Sequence, residues 1–336
     1  VNASRRQPAI YFPLESGRYE VKPGLFPFGT DFGNAEADRK VFQIDGRFVE
    51  YRAAKLSARA ERLSKYYCLH NYTQLIAHRV ARFITERLVD EYPQHFALEQ
   101  LSHGHAALHC MLTDDTLIFD AEMRLVDVRT PTHPSPPYAS TLDALACQVQ
   151  EDLAVVALTT AGDWLSALHL CCPNHWAAED KIGKDFASIH NPVPGITKIN
   201  AKARALTEAM IYRGPYVRFV WGLSTDTRLN HHPQPPRCSL RKWRGRAFTK
   251  QDPKLWLRVE RQVLWGFADV RAALFAIHTY FTDCLDIKRE PAQLEKLVSA
   301  IESMQPATLA YKGLAEFRDD AVAWLTETIT SPVTKT

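Results

Sequence analysis

The chain has 336 residues, of which 46% are apolar and 24% charged, and its formal net charge is +3. That apolar share supports a large core and excludes disorder for most of the chain, while so small a positive balance gives no charge argument for a nucleic-acid partner. No apolar run reaches the roughly 18 residues that span a bilayer, so a membrane partner is not expected.

In chain order, residues 1–50 read as an extended N-terminal arm on a core, with Gly17, Gly24, Gly29 and Gly33 interrupting any regular element. Nothing in residues 1–30 has the basic start and apolar stretch of a secretory signal. Residues 51–330 are expected to form a single domain, and 331–336 a tail. From Tyr51 to Glu91 the spacing of Leu75, Ile76, Val80, Phe83, Ile84 and Leu88 predicts helix, ended by Tyr92-Pro93. Alternation at Leu108, Cys110 and Leu112, then Leu117, Phe119, Val126 and Val128, predicts a hairpin or meander over 106–129. Residues 142–170 are read as helical, and 171–197 as a proline-rich loop. A helix follows at 199–212, strands at 216–223, 255–264 and 271–281, and helices at 291–304 and 314–328. The fold class expected is therefore α+β, an antiparallel sheet flanked by helices.

The seven cysteines show no repeated spacing, so they are read as buried thiols in a reducing, cytoplasmic setting. His103, His105 and His109 share one face if they lie on a strand and could converge on a metal, making a heme-free His-metal oxygenase one alternative. No G-x-S-x-G or G-x-G-x-x-G motif occurs, which excludes the commonest serine-hydrolase and dinucleotide sites. Arg237, Arg241, Lys242, Arg244, Arg246 and Lys250 form an acid-free basic run, a candidate docking surface for an acidic partner. Within the central loop, Pro192 and Pro194 stiffen the backbone around His190, which suits a ligand held at one angle.

That loop carries Cys172-Pro173-Asn174-His175-Trp176 and, further on, Ile189-His190-Asn191-Pro192-Val193-Pro194-Gly195. Around it, in order, stand Tyr92-Pro93, Gln150-Glu151-Asp152-Leu153, Arg218-Phe219-Val220-Trp221, Arg258-Val259-Glu260-Arg261-Gln262, Phe275-Ala276-Ile277-His278-Thr279-Tyr280 and Tyr311-Lys312-Gly313. Together these blocks resemble the heme-bearing α-subunit of the heme-dependent oxidative N-demethylase family, also called dimethylamine monooxygenases, over roughly residues 25–330.

The resemblance implies a PAS-like sheet binding heme b and oxidative N-demethylation of a small secondary amine by O2, with release of formaldehyde. NADPH, flavin and an iron–sulfur cluster would then sit on partner reductase subunits. It points to His190 as the axial ligand, with Cys172 and His278 as rivals. Arg218, Arg261, Lys181 and Lys184 are the candidates to pair with the propionates. Trp176, Trp221, Phe219, Phe275, Pro192 and Val193 are the candidates for the ring slot, and Glu260 and Glu151 for acid–base or substrate roles. Two positions depart from the family pattern: Val220 stands where Asn is expected, and Val263 where Thr is. A non-catalytic heme-binding PAS-like sensor is the remaining alternative.

Overall fold

The computed structural model describes residues 7–236 and 248–327. Its strands are β1 (Phe26–Pro27), β2 (Tyr67–Leu69), β3 (Phe96–Gln100), β4 (Ala106–Cys110), β5 (Asp115–Phe119), β6 (Leu125–Arg129), β7 (Asp152–Leu158), β8 (Asp163–His169), β9 (Tyr216–Ser224), β10 (Trp256–Phe267) and β11 (Ala272–Asp283). The α-helices are α1 (Phe48–Arg62), α2 (Gln74–Glu91), α3 (Thr141–Ala146), α4 (Phe186–His190), α5 (Thr197–Asn200), α6 (Ala203–Tyr212), α7 (Cys284–Ile287), α8 (Pro291–Glu302), α9 (Pro306–Lys312) and α10 (Arg318–Thr326). The main sheet is antiparallel throughout, in the order β1-β9-β10-β11-β7-β8-β2, and a smaller meander runs β3-β4-β5-β6. Antiparallel sheets flanked by helices meet the α+β expectation and are consistent with a PAS-like fold.

Side chains alternate across each strand, so the register sorts the main sheet into two faces. Arg218, Gln262 and Ile277 lie in one row, and Phe219, Arg261 and His278 in the next row on the opposite face. The second face is the better covered. Val155, Leu153, Val217, Val263 and Leu274 pack there with Val80, Ile84 and Leu88 of α2, Leu145 of α3 and Phe119 of the small sheet. Val80, Ile84 and Leu88 are fully buried, and burial of each contributes about 1.5–3 kcal/mol. The same face continues through Leu257, Val259 and Tyr280 onto α8, α10 and the arm residues Tyr11 and Leu14. The first face is covered only in part. Trp176, Ala178, Ile182 and Ile189 of the 171–200 segment pack at one place, and Met210 and Ile211 of α6 at another.

Two predicted elements differ. The helix expected over 142–170 is a short helix followed by a β7–β8 hairpin. Those strands are buried on both faces, so they present near-continuous apolar runs that periodicity cannot separate from helix. The long helix expected over 51–91 is interrupted by β2, which adds to the sheet edge through Tyr67, Cys68 and Leu69. Thr73 then starts α2, its hydroxyl accepting the Ile76 amide. In Tyr311-Lys312-Gly313, the glycine ends α9 in the left-handed region (φ 70) and the Lys312 ammonium donates to the Trp221 carbonyl at 2.7 Å.

Candidate functional site

His190 closes α4. The Asp185 carboxylate caps that helix by accepting the Ser188 amide, and Asp163 accepts the amide of Phe186. The imidazole turns back on its own helix: Nδ1 lies 2.7 Å from the Phe186 carbonyl oxygen, and the two rings sit 4.3 Å apart. A carbonyl only accepts, so Nδ1 carries the proton and Nε2 keeps the lone pair. Nε2 has no protein partner among the described residues and is not sealed from solvent. Burial lowers the basicity of the ring, and the charges of Arg218 and Lys181 add to that against the Phe186 carbonyl. A neutral imidazole with one fixed tautomer is what metal ligation requires. Although a following proline disfavours the helical region, Asn191 before Pro192 stays helical (φ −49, ψ −34) as the end of α4. The presenting element is a helical turn.

Beside α4, half of the first sheet face is open. Arg218, Val220, Glu260, Gln262, Phe275 and Ile277 are all only partly buried there. Glu260 accepts from the Arg258 Nη1 at 2.7 Å and from the Gln262 amide at 3.1 Å, while Arg258 Nη2 donates to the Cys172 carbonyl at 2.8 Å. The Arg218 Nε is buried with no hydrogen-bond partner among the described residues; burial lowers the guanidinium pKa and nearby Glu260 opposes the shift. Trp176, Ile182, Ile189 and Phe275 form an apolar wall over Leu165 and Leu168. Lys181 donates to the Ile189 carbonyl at 2.6 Å, and Lys184 is exposed. Pro192 is exposed and Val193 half-buried in the turn that follows, with the Val193 amide on the His190 carbonyl.

The remaining expected site residues lie elsewhere, because each conserved-looking block is a strand and its members alternate between faces. Phe219 packs on Tyr11 and Phe32, and Trp221 on Tyr19, all on the covered face. Arg261 donates to the carbonyls of Lys40 and Asp38, tying the arm to the sheet. His278 Nδ1 is 2.8 Å from Glu151 Oε1, and both side chains are 1% exposed. These five therefore pack the core or anchor the arm, on the face away from His190. Cys172 is buried against Tyr51 and Leu229, and burial with nearby Asp152 pushes its thiol pKa well up. A strict two-residue alternation applied to each block would have separated these groups from sequence. Val220 falls on the open face and Val263 in the core, 1% exposed. Arg241, Lys242, Arg244 and Arg246 lie outside the described residues.

The metal donors that do come together are not the ones expected. His103 is exposed in a turn with φ 59, and His109 bonds Thr116 and Glu99 on β4. Instead, Asp143, Cys147 and His169 place ligand atoms within 4.8 Å of one another, as do Asp152, His169 and Cys171. These residues lie at α3, at the ends of β7 and β8, and just beyond them. All are buried, a donor set consistent with a metal site, and sequence spacing gave no sign of it. Arg59 already forks both oxygens of Asp143 at 2.8 Å, and His169 Nε2 sits 3.1 Å from Oδ1.

The chain matches the family model described as haem-dependent oxidative N-demethylase, alpha subunit-like, over residues 34–322. The chain belongs to this family. No curated protein matches it. Family membership and the buried Asp/Cys/His group together support an oxidoreductase role of metal-dependent, oxidase type. No helix among the described residues is long and apolar enough to cross a membrane.

Proposed function

We propose that the chain is a heme b-dependent monooxygenase subunit that demethylates a small secondary amine such as dimethylamine. One observation carries the reading: the lone pair of His190 Nε2 is fixed by the Phe186 carbonyl and left open near Arg218, whose buried Nε has no partner among the described residues. The donor set fits the cofactor. His190 would hold the iron, Arg218 and Lys181 would face the propionates with Lys184 at the rim, and Trp176 and Phe275 would flank the ring. Heme, when bound, would supply the O2 activation that oxidation of an N-methyl group needs. Dimethylamine, O2, two electrons and two protons then yield methylamine, formaldehyde and water. NADPH would supply the electrons through flavin and iron–sulfur partners, and the basic 237–250 stretch is the proposed docking surface for them.

Glu260 would accept from the substrate ammonium, its carboxylate held in place by Arg258 and Gln262. Val220 shortens the hydrogen-bonding list of this face and makes the pocket more apolar, which favours the neutral, oxidisable form of an amine. The free buried thiols suit a cytoplasmic, reducing setting.

A second reading is a single metal ion at Asp143, Cys147 and His169, favoured by their convergence within 4.8 Å. It requires Arg59 to give up the Asp143 carboxylate. Absorption spectroscopy with metal analysis of the purified protein separates the two. A Soret band with iron near one per chain supports heme, whereas a colourless protein holding a stoichiometric metal and rejecting hemin supports the second reading. Formaldehyde release from dimethylamine with a supplied reductase tests the substrate.

A further inference from the structure

One cavity lies away from His190. It measures about 520 Å3 and is bounded by Tyr72, Ile76, Ala157, Leu158, Trp164 and Val270, with Asn71, Thr73, Thr159 and Arg271 completing it. That volume falls within the range of small-molecule pockets. Two of its lining residues carry a polar group left unbonded: the Tyr72 hydroxyl and the Trp164 indole N–H are both buried and without a hydrogen-bond partner among the described residues. An indole N–H only donates and a phenol hydroxyl can donate, and buried donors left unmade cost free energy, so each calls for an acceptor that the described residues do not provide. Arg271 adds a cation at the rim. It is held in the left-handed region (φ 54), has no acidic partner among the described residues, and the first turn of α2 above it has no acidic side chain. The remaining wall, Ile76, Ala157, Leu158 and Val270, is apolar.

We infer that this cavity is a second binding site, for a small carboxylate with an apolar or aromatic body. The carboxylate lies toward Arg271 and the two orphaned donors, and the body lies against Ile76, Leu158 and Val270. The site stands independently of the heme reading, since none of its lining residues belongs to the His190 group. It does adjoin that group through the chain: Trp164 follows Asp163, whose carboxylate accepts the first amide of α4.

The probe is 3-phenylpropionate, titrated by calorimetry into the full chain, with 3-phenylpropanol as its uncharged counterpart. Saturable binding is expected, with Arg271→Ala weakening it by about 10- to 100-fold and the alcohol losing a similar factor. Val270→Trp, which fills the cavity, should abolish binding while the far-ultraviolet circular dichroism is unchanged. Tryptophan fluorescence should respond to ligand in the wild type and not in Trp164→Phe. The absence of saturable binding, which means that ordered water alone meets the two donors, overturns the site. So does binding that survives both Arg271→Ala and Val270→Trp. Equal affinity for the alcohol overturns the anionic assignment.

Discussion

His190 Nδ1 is bonded to the Phe186 carbonyl one turn earlier on the same short helix, so a single local contact sets both the tautomer and the ring direction. The contact depends on Asp185 and Asp163, which hold the first turn of α4. Asp185→Ala should loosen the turn at a cost of about 1 kcal/mol and weaken whatever His190 binds by several-fold. Comparing hemin titrations of this variant and the wild type checks it; equal affinities would show that α4 does not set the ligand geometry.

The two valines that depart from the family pattern should behave differently. Val263 is sealed in the core, so Val263→Thr buries a hydroxyl among apolar side chains and should cost about 1–3 kcal/mol. Val220 faces the open side, so Val220→Asn should change stability by under about 1 kcal/mol while altering amine dependence or the heme spectrum. Urea denaturation of both variants decides. Equal losses would mean the face assignment is wrong.

Burial pushes the Asp143 carboxyl up, but hydrogen bonds from His169 and Arg59 outweigh it and hold its pKa at about 2. A carboxyl depressed below its unfolded value stabilises the fold above that value and loses the contribution as pH falls through the folded one. Here the window runs from about pH 4 down to about 2 and carries about 2 kcal/mol. Asp143→Asn should cost about 3–5 kcal/mol at neutral pH, and its deficit relative to wild type should shrink across that window. A deficit that stays constant from pH 5 to 2 would remove this explanation.

Gly266 on β10 passes directly under the end of α6. A Cβ there would collide with the backbone of Met210 and Ile211, which cannot swing aside as a side chain can. Gly266→Ala should therefore destabilise by about 1–3 kcal/mol or shift α6. A wild-type melting temperature for this variant would contradict the close approach.

Much of the frame was legible because its signals are local. Alternation marked β4, β5 and β6, and the helical spacing of Ile76, Val80, Phe83, Ile84 and Leu88 marked α2. The β7–β8 hairpin was misread because strands covered on both faces lose their alternation. Its Val and Ala residues carry no polar marker. At the site, the resemblance brought several strand blocks to attention but could not say which of their residues share a face. Arg218 and Glu260 point one way, and Phe219 and Arg261 the other. The buried Asp143, Cys147 and His169 group was invisible for a different reason: α3 and the end of β8 meet only after the sheet has formed.

The most direct test compares hemin-reconstituted wild type, His190→Ala and Cys172→Ala by absorption and electron paramagnetic resonance. The expected result is a Soret band and a histidine-ligated signal in the wild type, unchanged in Cys172→Ala and lost or shifted in His190→Ala, with all three folded. An unchanged spectrum in His190→Ala would contradict the proposed ligand, and a wild type that takes up no heme would contradict the heme reading itself.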